Sequence, residues 1–514
     1  MIAVKRTLTL LTALLLAPAA LLGWGDAHRA IMVAALDLQP EKARAIQALG
    51  AENWQHIGGV GEVTGYCGLA DNQGEYVRRP WCEFFANDYL LTREVPFLHG
   101  YHVPVIEEPP WNQQIAGFAK RALQALRTET GVEAARRVGA LLHFVEDAGA
   151  TAHAARISPP AHTLLDSTVP LDRIALPGYA PQLLGKTDDE FVTALQSRIA
   201  ALIDSSAPVG RRLKAEAMDL APVYETARIG RVRQRLDAVG EAQIPPALES
   251  LRATADALHT LLVLGLAPQK DGASLRGSIR WADTPAFEKS GAEIHLLDAR
   301  KLPGDPISPQ QLFDACTGYD THTDPAGDFA FHHLPEGDYR VLAYRVGSPM
   351  KLSEPIHLAQ GHAQSVSLSL DAIQPAGNLV YNPTLDLSTY VTGMPDRWMA
   401  MKPLPEAAHV CMSATVPVRA GRTLKLGSKL RDPSAQVTFF VMDRSKKSAV
   451  QDCSRTLKID PAFRAAATFT DTGGETAATT PFGTPAFVLI YVTSTQPLAQ
   501  AVENVWVIEE GERK

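Results

Sequence analysis

Cysteine is scarce in this chain: there are five in 514 residues and none in Cys-x-x-Cys spacing, which argues against a thiolate metal site. An excess of positive charge is also missing, since 49 Lys and Arg face 56 Asp and Glu for a formal net charge of −7. Duplex nucleic acid needs a basic footprint, so it is excluded as a partner, while small or locally recognised substrates stay open. Beyond the N-terminus no stretch reaches the roughly 18 apolar residues of a membrane-spanning helix, and a soluble mature protein is expected. With 46% hydrophobic and 20% charged residues, disorder is excluded as well.

What is present begins with a leader. Lys5 and Arg6 precede an apolar run from Leu8 through Leu22, broken only by Thr9, Thr12 and Pro18. This is the layout of a secretory signal peptide over residues 1–23, with an uncleaved anchor as the alternative, and it predicts a secreted protein, extracellular or periplasmic. In an oxidising compartment Cys67 is expected to pair with Cys82 and Cys411 with Cys453, leaving Cys316 over. Cleavage after Gly23 would make Trp24 the first residue, its α-amino group and carbonyl forming a five-membered chelate for a metal, with His28 close behind. Ala17-Pro18-Ala19 is the better small-x-small signal, and a start at Ala20 would remove that ligand.

The length predicts about three domains. From Trp24 to Leu266 apolar residues recur at three-to-four spacing, as in 28–38, 115–128, 132–146, 189–203 and 247–264, predicting an all-α domain over 24–266. A linker around Pro268 to Asp271 then leads into short alternating strands at 274–281, 292–297, 329–331, 339–344 and 364–370. The turn chemistry and aromatic alternation from Thr323 to Tyr339 predict a hairpin. Its Thr323-Asp324-Pro-Ala-Gly327-Asp328-Phe329-Ala-Phe331 and Leu334-Pro335-Glu-Gly337-Asp-Tyr339 motifs resemble the carboxypeptidase regulatory-like (transthyretin-like) β-sandwich family, which implies such a sandwich over 273–371. A second linker precedes Asn378-Leu-Val-Tyr-Asn382-Pro383, Pro395-Asp396-Arg-Trp398 and strands at 437–442 and 486–492. This part resembles the jelly rolls of carbohydrate-binding modules over 377–514. Trp398 there is either a sugar-stacking platform or core. The fold class expected is therefore an all-α N-terminal catalytic domain followed by two all-β sandwich domains.

The chemistry sits in the helical part. His143-Phe-Val-Glu-Asp147-Ala-Gly-Ala-Thr-Ala-His153 is followed by His162-Thr-Leu-Leu-Asp166. His143 and Asp147, and again His162 and Asp166, stand at i and i+4, so each pair shares one helical face and can share an ion. Zinc takes this mixture of imidazole nitrogen and carboxylate oxygen. Burying so many ionisable groups together without a metal would be costly.

With Trp24 and His28 added, the chain resembles the zinc-dependent phospholipase C and single-strand nuclease superfamily over residues 24–266. Gly65-Tyr-Cys-Gly-Leu-Ala70-Asp71 looks like the family's segment bearing its first Asp, and Phe97-Leu-His99-Gly-Tyr101 like its His-aromatic segment. The resemblance implies three zinc ions. One would be held by Asp71, His99, His143 and Asp147, a second by His153, His162 and Asp166, and a third by Trp24, His28 and bridging Asp147. It also implies Asp71 as general base, or as a ligand alone, and Phe97 and Tyr101 as substrate-binding walls. Asp88 rivals Asp71, and His102 rivals His99, because the gap between the first acid and the histidine is long. Ala150-Thr151-Ala152 stands where the family carries Gln-Pro, which is expected to loosen that turn. Glu146 and Asp26 are expected to be solvated or capping residues, and His259 to be packing.

The activity expected is a secreted zinc-dependent phosphoric diester hydrolase of phospholipase C type, cutting the glycerol-side bond of phospholipids at a membrane surface. Carbohydrate or cell-surface contact would fall to the C-terminal modules. A single-strand-specific zinc nuclease is the alternative, since the second motif ends in Asp166 rather than Glu and Trp24-Gly25 is nuclease-like. A non-catalytic zinc-containing surface-binding protein is the other.

Overall fold

The computed structural model describes residues 25–59, 65–68, 111–128, 131–157, 160–226 and 230–267 of the leading part. Of the rest it describes, with short breaks, 272–281, 292–345, 349–371, 377–387, 395–443 and 468–510. The leading part is helical and the rest is β. The helices are α1 (Gly25–Asp37), α2 (Lys42–Leu49), α3 (Ala51–Gly58), α4 (Trp111–Thr128), α5 (Gly131–Gly149), α6 (Thr151–Ala154), α7 (Ala161–Thr168), α8 (Asp188–Leu220), α9 (Gly230–Glu241) and α10 (Ile244–Gly265). None of the described helices is long and apolar enough to cross a membrane.

Helix α5 is the axis of the bundle. From Glu133 to Gly149 only Arg136 escapes burial, so the helix is covered on every side, and its neighbours α1, α4, α8 and α10 share one core with it. Phe144 meets Phe118 of α4 edge to face at 5.0 Å. Two glycines let other chains approach closely. A Cβ at Gly139 would lie 2.7 Å from Cβ of Tyr66, in the 3₁₀ turn Tyr66–Gly68, and one at Gly149 would lie 2.7 Å from Oγ of Ser250 on α10.

Helix α8 runs well past the Ile203 expected from the pattern and contains Pro208, a residue that removes a ladder bond. Its second half continues because Leu213, Ala217 and Leu220 bury against residues of α7 and α9, a tertiary gain that periodicity could not weigh.

The strands of the middle segment are β1 (Ala273–Trp281), β2 (Glu293–Asp298), β3 (Cys316–His322), β4 (Asp328–Leu334), β5 (Gly337–Tyr344), β6 (Lys351–Leu352), β7 (Ile356–Leu358) and β8 (Ala363–Leu370). They form two sheets, β4-β1-β8 and β3-β2-β5-β6, with β7 also on β5. The expected hairpin is corrected here: β4 pairs with β1 and β5 with β2, so the Pro335-Glu336 turn arches from one sheet to the other. Phe329 and Phe331 from one sheet and Tyr339, Val341 and Ala343 from the other meet in a shared core. The aromatic alternation therefore reports two facing strands, which turn chemistry alone cannot tell from two paired ones.

Strand β3 docks this sandwich onto the helices. Asp320 lies 3.5 Å from Nε of Arg121 on α4 and pairs with Arg137 on α5, all three side chains being buried. His322 faces Glu133 of α5 at 3.7 Å and Glu293 of β2 at 4.0 Å. Burial alone would raise the Glu133 carboxyl. The hydrogen bond and charge of His322, with Arg136 and Arg137, outweigh it and hold the group far below the usual carboxylate range.

The last segment forms two further sheets around one core, a six-stranded one built on Gln436–Asp443 and Ala486–Ser494 and a three-stranded one built on Thr423–Leu430 and Val502–Glu510. Trp398 is fully buried there, its indole N–H shared between the carbonyls of Tyr381 and Asn382 at 3.2 Å each, so it is core. Cys67 and Cys411 are buried; their expected partners Cys82 and Cys453 lie outside the described residues.

Candidate metal centre

Helix α1 lays Ala27, Ile31 and Ala35 into the bundle and carries His28 on the same side, fully buried. Helix α5 brings His143, Glu146 and Asp147 to meet it, three positions that share a face because they stand at i, i+3 and i+4. The two oxygens of Asp147 divide between the helices. Oδ1 is 3.2 Å from Nε2 of His28, and Oδ2 is 3.3 Å from Nε2 of His143.

The chain then turns sharply at Ala150, whose extended backbone separates α5 from α6 and swings His153 back over Asp147, with Nε2 3.4 Å from Oδ1. The loosening expected from the missing Gln-Pro is not found. Thr151 donates from Oγ1 to Gln243 at 2.6 Å, and the Ala150 amide is shared between the carbonyls of Glu146 and Asp147 at 3.1 Å. Arg156, in the left-handed region at φ 53°, ends the turn while the Ile157 amide reaches the Ala152 carbonyl at 2.9 Å.

The carbonyl of Ile157 in turn accepts from Nδ1 of His162 at 2.9 Å. That bond puts the ring hydrogen on Nδ1 and leaves Nε2 toward Asp166, whose Oδ2 lies 2.9 Å away. His153 and His162 stand edge to face at 4.6 Å.

Two donor groups result, His28 with His143 and Asp147, and His153 with His162 and Asp166, and in each the donor atoms all lie within 4.8 Å of one another. Around Asp147 the spacing leaves room for a metal ion. Two ligands at bonds of about 2.0–2.1 Å on a tetrahedral ion stand roughly 3.3 Å apart, and the contacts around Asp147 are 3.2, 3.3 and 3.4 Å. A charge-assisted hydrogen bond would draw the same atoms to about 2.7–2.9 Å, the length found for the His162–Asp166 contact at 2.9 Å. Each three-residue group could hold a metal ion, with Asp147 facing imidazoles of both; only the contacts around Asp147 exceed hydrogen-bond length.

Titration follows from the crowding. Burial would lower the His28 imidazolium, but hydrogen bonds to Asp147 and Glu146 and their charges hold it well above the ordinary value. Burial would raise Asp147, but the charges of His153 and His143 hold it well below the carboxylate range. His162 is likewise raised despite burial, by Asp166 above all.

Of the residues expected in the site, His28, His143, Asp147, His153, His162 and Asp166 come together. Trp24, Asp71, Phe97, His99 and Tyr101, with the rivals Asp88 and His102, lie outside the described residues. Asp26 is exposed, as expected. His259 contacts Glu41 at 2.7 Å and takes no place in either group. Glu146 departs from the expectation: it is fully buried, and its Oε2 lies within hydrogen-bond distance of Nδ1 of His28, at 2.6 Å. Its spacing of three from His143 already placed it on the ligand face. Burial, against the charges of His28 and His143, pushes its carboxyl up to about 7.

No protein-family model matches the chain, and no curated protein matches it. Among solved structures it is similar to an alpha toxin of Clostridium absonum, at 12% identity and a TM-score of 0.32, over 65% of this chain and 92% of that one. An alpha-toxin from an avian strain of Clostridium perfringens is similar at 12% identity and a TM-score of 0.28, over 65% of this chain and 96% of that one. In the β part a type II cohesin–X-dockerin complex from Acetivibrio cellulolyticus is similar at 15% identity and a TM-score of 0.15, over 21% of this chain. The chain spans 62% of that structure's length.

Proposed function

We propose that residues 24–266 are a secreted zinc-dependent phosphodiesterase of phospholipase C type, followed by two accessory β-sandwiches over 273–371 and 377–514. The observation that carries the reading is Asp147, buried with an imidazole on each oxygen, beside a second His-His-Asp group. In this reading Asp71, His99, His143 and Asp147 hold one ion, His153, His162 and Asp166 another, and Trp24, His28 and Asp147 a third. Bound zinc would supply a hydroxide near neutral pH and charge stabilisation for the phosphoryl oxygens.

The chain's own residues do the rest. Asp71 accepts the proton of the attacking water, and Phe97 and Tyr101 wall the head group. Three ligating carboxylates, Asp71, Asp147 and Asp166, leave three dications with an excess of positive charge that attracts a phosphodiester. The C-terminal modules hold the enzyme at a membrane or carbohydrate-bearing surface, without Trp398 as a platform, since it is core.

A nuclease is the second reading, favoured by Asp166 at the end of the second motif and by Trp24-Gly25. Phosphatidylcholine and single-stranded DNA assayed side by side, with and without chelator, decide between them. Release of the phosphorylated head group, abolished by chelation, is the result expected. Acid-soluble nucleotides with the lipid untouched would establish the nuclease, and bound zinc without turnover on either substrate would leave a surface-binding protein.

A further inference from the structure

We propose that Glu146 is a positioning residue of the metal centre: by accepting from Nδ1 of His28 it fixes that ring's tautomer and turns Nε2 into a ligand beside Asp147. The inference rests on the zinc reading of the site.

An ionised Glu146 can only accept, so in that state the contact at 2.6 Å places a hydrogen on Nδ1 of His28. The ring's other nitrogen, Nε2, lies 3.2 Å from Oδ1 of Asp147, and with an ion bound it would turn its lone pair to that ion. A proton on Nε2 or a metal ion can occupy the space between those two atoms, and the ion would take the proton's place when the site is loaded. Neighbouring carboxylates of one helix thus grip the two edges of a single imidazole, Glu146 on Nδ1 and Asp147 on Nε2. The ring comes from α1, 118 residues away in sequence, so the grip also sets where α1 lies along α5. His162 is oriented in the same manner, with the Ile157 carbonyl in the place of the carboxylate. A carboxylate is the stronger acceptor, and it raises the basicity of the ring it orients.

The alternative is that Glu146 only clamps two helices, and the two roles separate on readouts other than turnover. The full-length protein is loaded with zinc and the ring nitrogens of His28 are observed by ¹⁵N NMR. Zinc content and affinity are then measured by elemental analysis and chelator competition for wild type, Glu146→Gln and Glu146→Ala. The expected spectrum shows a hydrogen on Nδ1 and a metal-bound Nε2. Zinc affinity should fall about 10-fold in Glu146→Gln and about 100-fold in Glu146→Ala, the range typical of carboxylates that orient metal-ligating histidines.

A wild-type His28 ligating through Nδ1, wild-type affinity in both variants, or a wild-type protein that takes up no zinc would each overturn the proposal. If Glu146→Ala fails to fold, the wild-type spectrum and the isosteric Gln variant still decide it. Loaded protein that hydrolyses neither lipid nor DNA refutes the phosphodiesterase and leaves the spectrum and affinities standing.

Discussion

Asp147 concentrates the chemistry of the molecule in one side chain, because both of its oxygens are turned to imidazoles that come from three separate helices. Asp147→Asn keeps the shape and removes the charge. Zinc content should fall, and turnover should drop by at least about 100-fold, more than the usual effect of losing an outer-shell partner; elemental analysis beside a phosphodiesterase assay checks both. Phe144, next in sequence to His143, is fully buried between that ring at 5.5 Å and Phe118 at 5.0 Å. Phe144→Ala should cost about 3–5 kcal/mol, read from urea denaturation, because a packed core relaxes only partly around the lost ring.

At the scale of elements, α5 does two jobs: it is the most deeply packed of the described helices, and it carries two of the six described candidate donors, His143 and Asp147. Its rigidity depends on close approach at Gly139. Gly139→Ala gains about 1 kcal/mol of helix propensity, but the new Cβ would fall 2.8 Å from the Tyr66 backbone, and overpacking costs about 1–3 kcal/mol. The clash wins, so a lowered Tm is expected. Asp71 follows that turn by three residues in sequence, so if it is the ligand proposed above, chelator competition should also show weaker zinc binding in this variant.

The helices themselves are legible, since apolar periodicity locates α1, α4, α5, α8 and α10, and the i,i+4 pairs mark the candidate donors on α5 and α7. Strand β3 is not, because its half-buried residues show no alternation, and it is the strand that docks on the helices. The β4–β5 arch was misread for a related reason. Local turn residues set where a chain reverses, not which sheet each arm joins.

For the whole molecule the β3 interface matters most. Asp320 answers two buried guanidinium groups, Arg121 and Arg137. Removing one partner of a buried ionic group costs about 3–5 kcal/mol, so Asp320→Ala should unfold earlier or part the segments, seen as a lower Tm or faster cleavage near residues 268–271. Acid should act on the same interface. The Glu133 carboxyl is depressed in the folded protein, so its contribution is complete above the unfolded value of about 4.3 and fades as pH falls below it toward the folded one. Tm should hold steady above about pH 5 and decline below about pH 4, with part of that decline absent in Glu133→Gln. A decline identical in the variant would place the acid sensitivity elsewhere.

The sequence by itself determined the order of helical and β segments and which side chains could ligate a metal, because both follow from spacing along a single element. Period and i,i+4 geometry are local, and local physics is written in the chain. Only the tertiary structure decided that His28 joins His143 across Asp147, that Glu146 turns inward to meet His28, that Trp398 is core, and that Asp320 closes the helical part against the first sandwich. Each of these is a meeting of residues from separate elements. Burial and opposing charge become strong only once packing has removed the water between them.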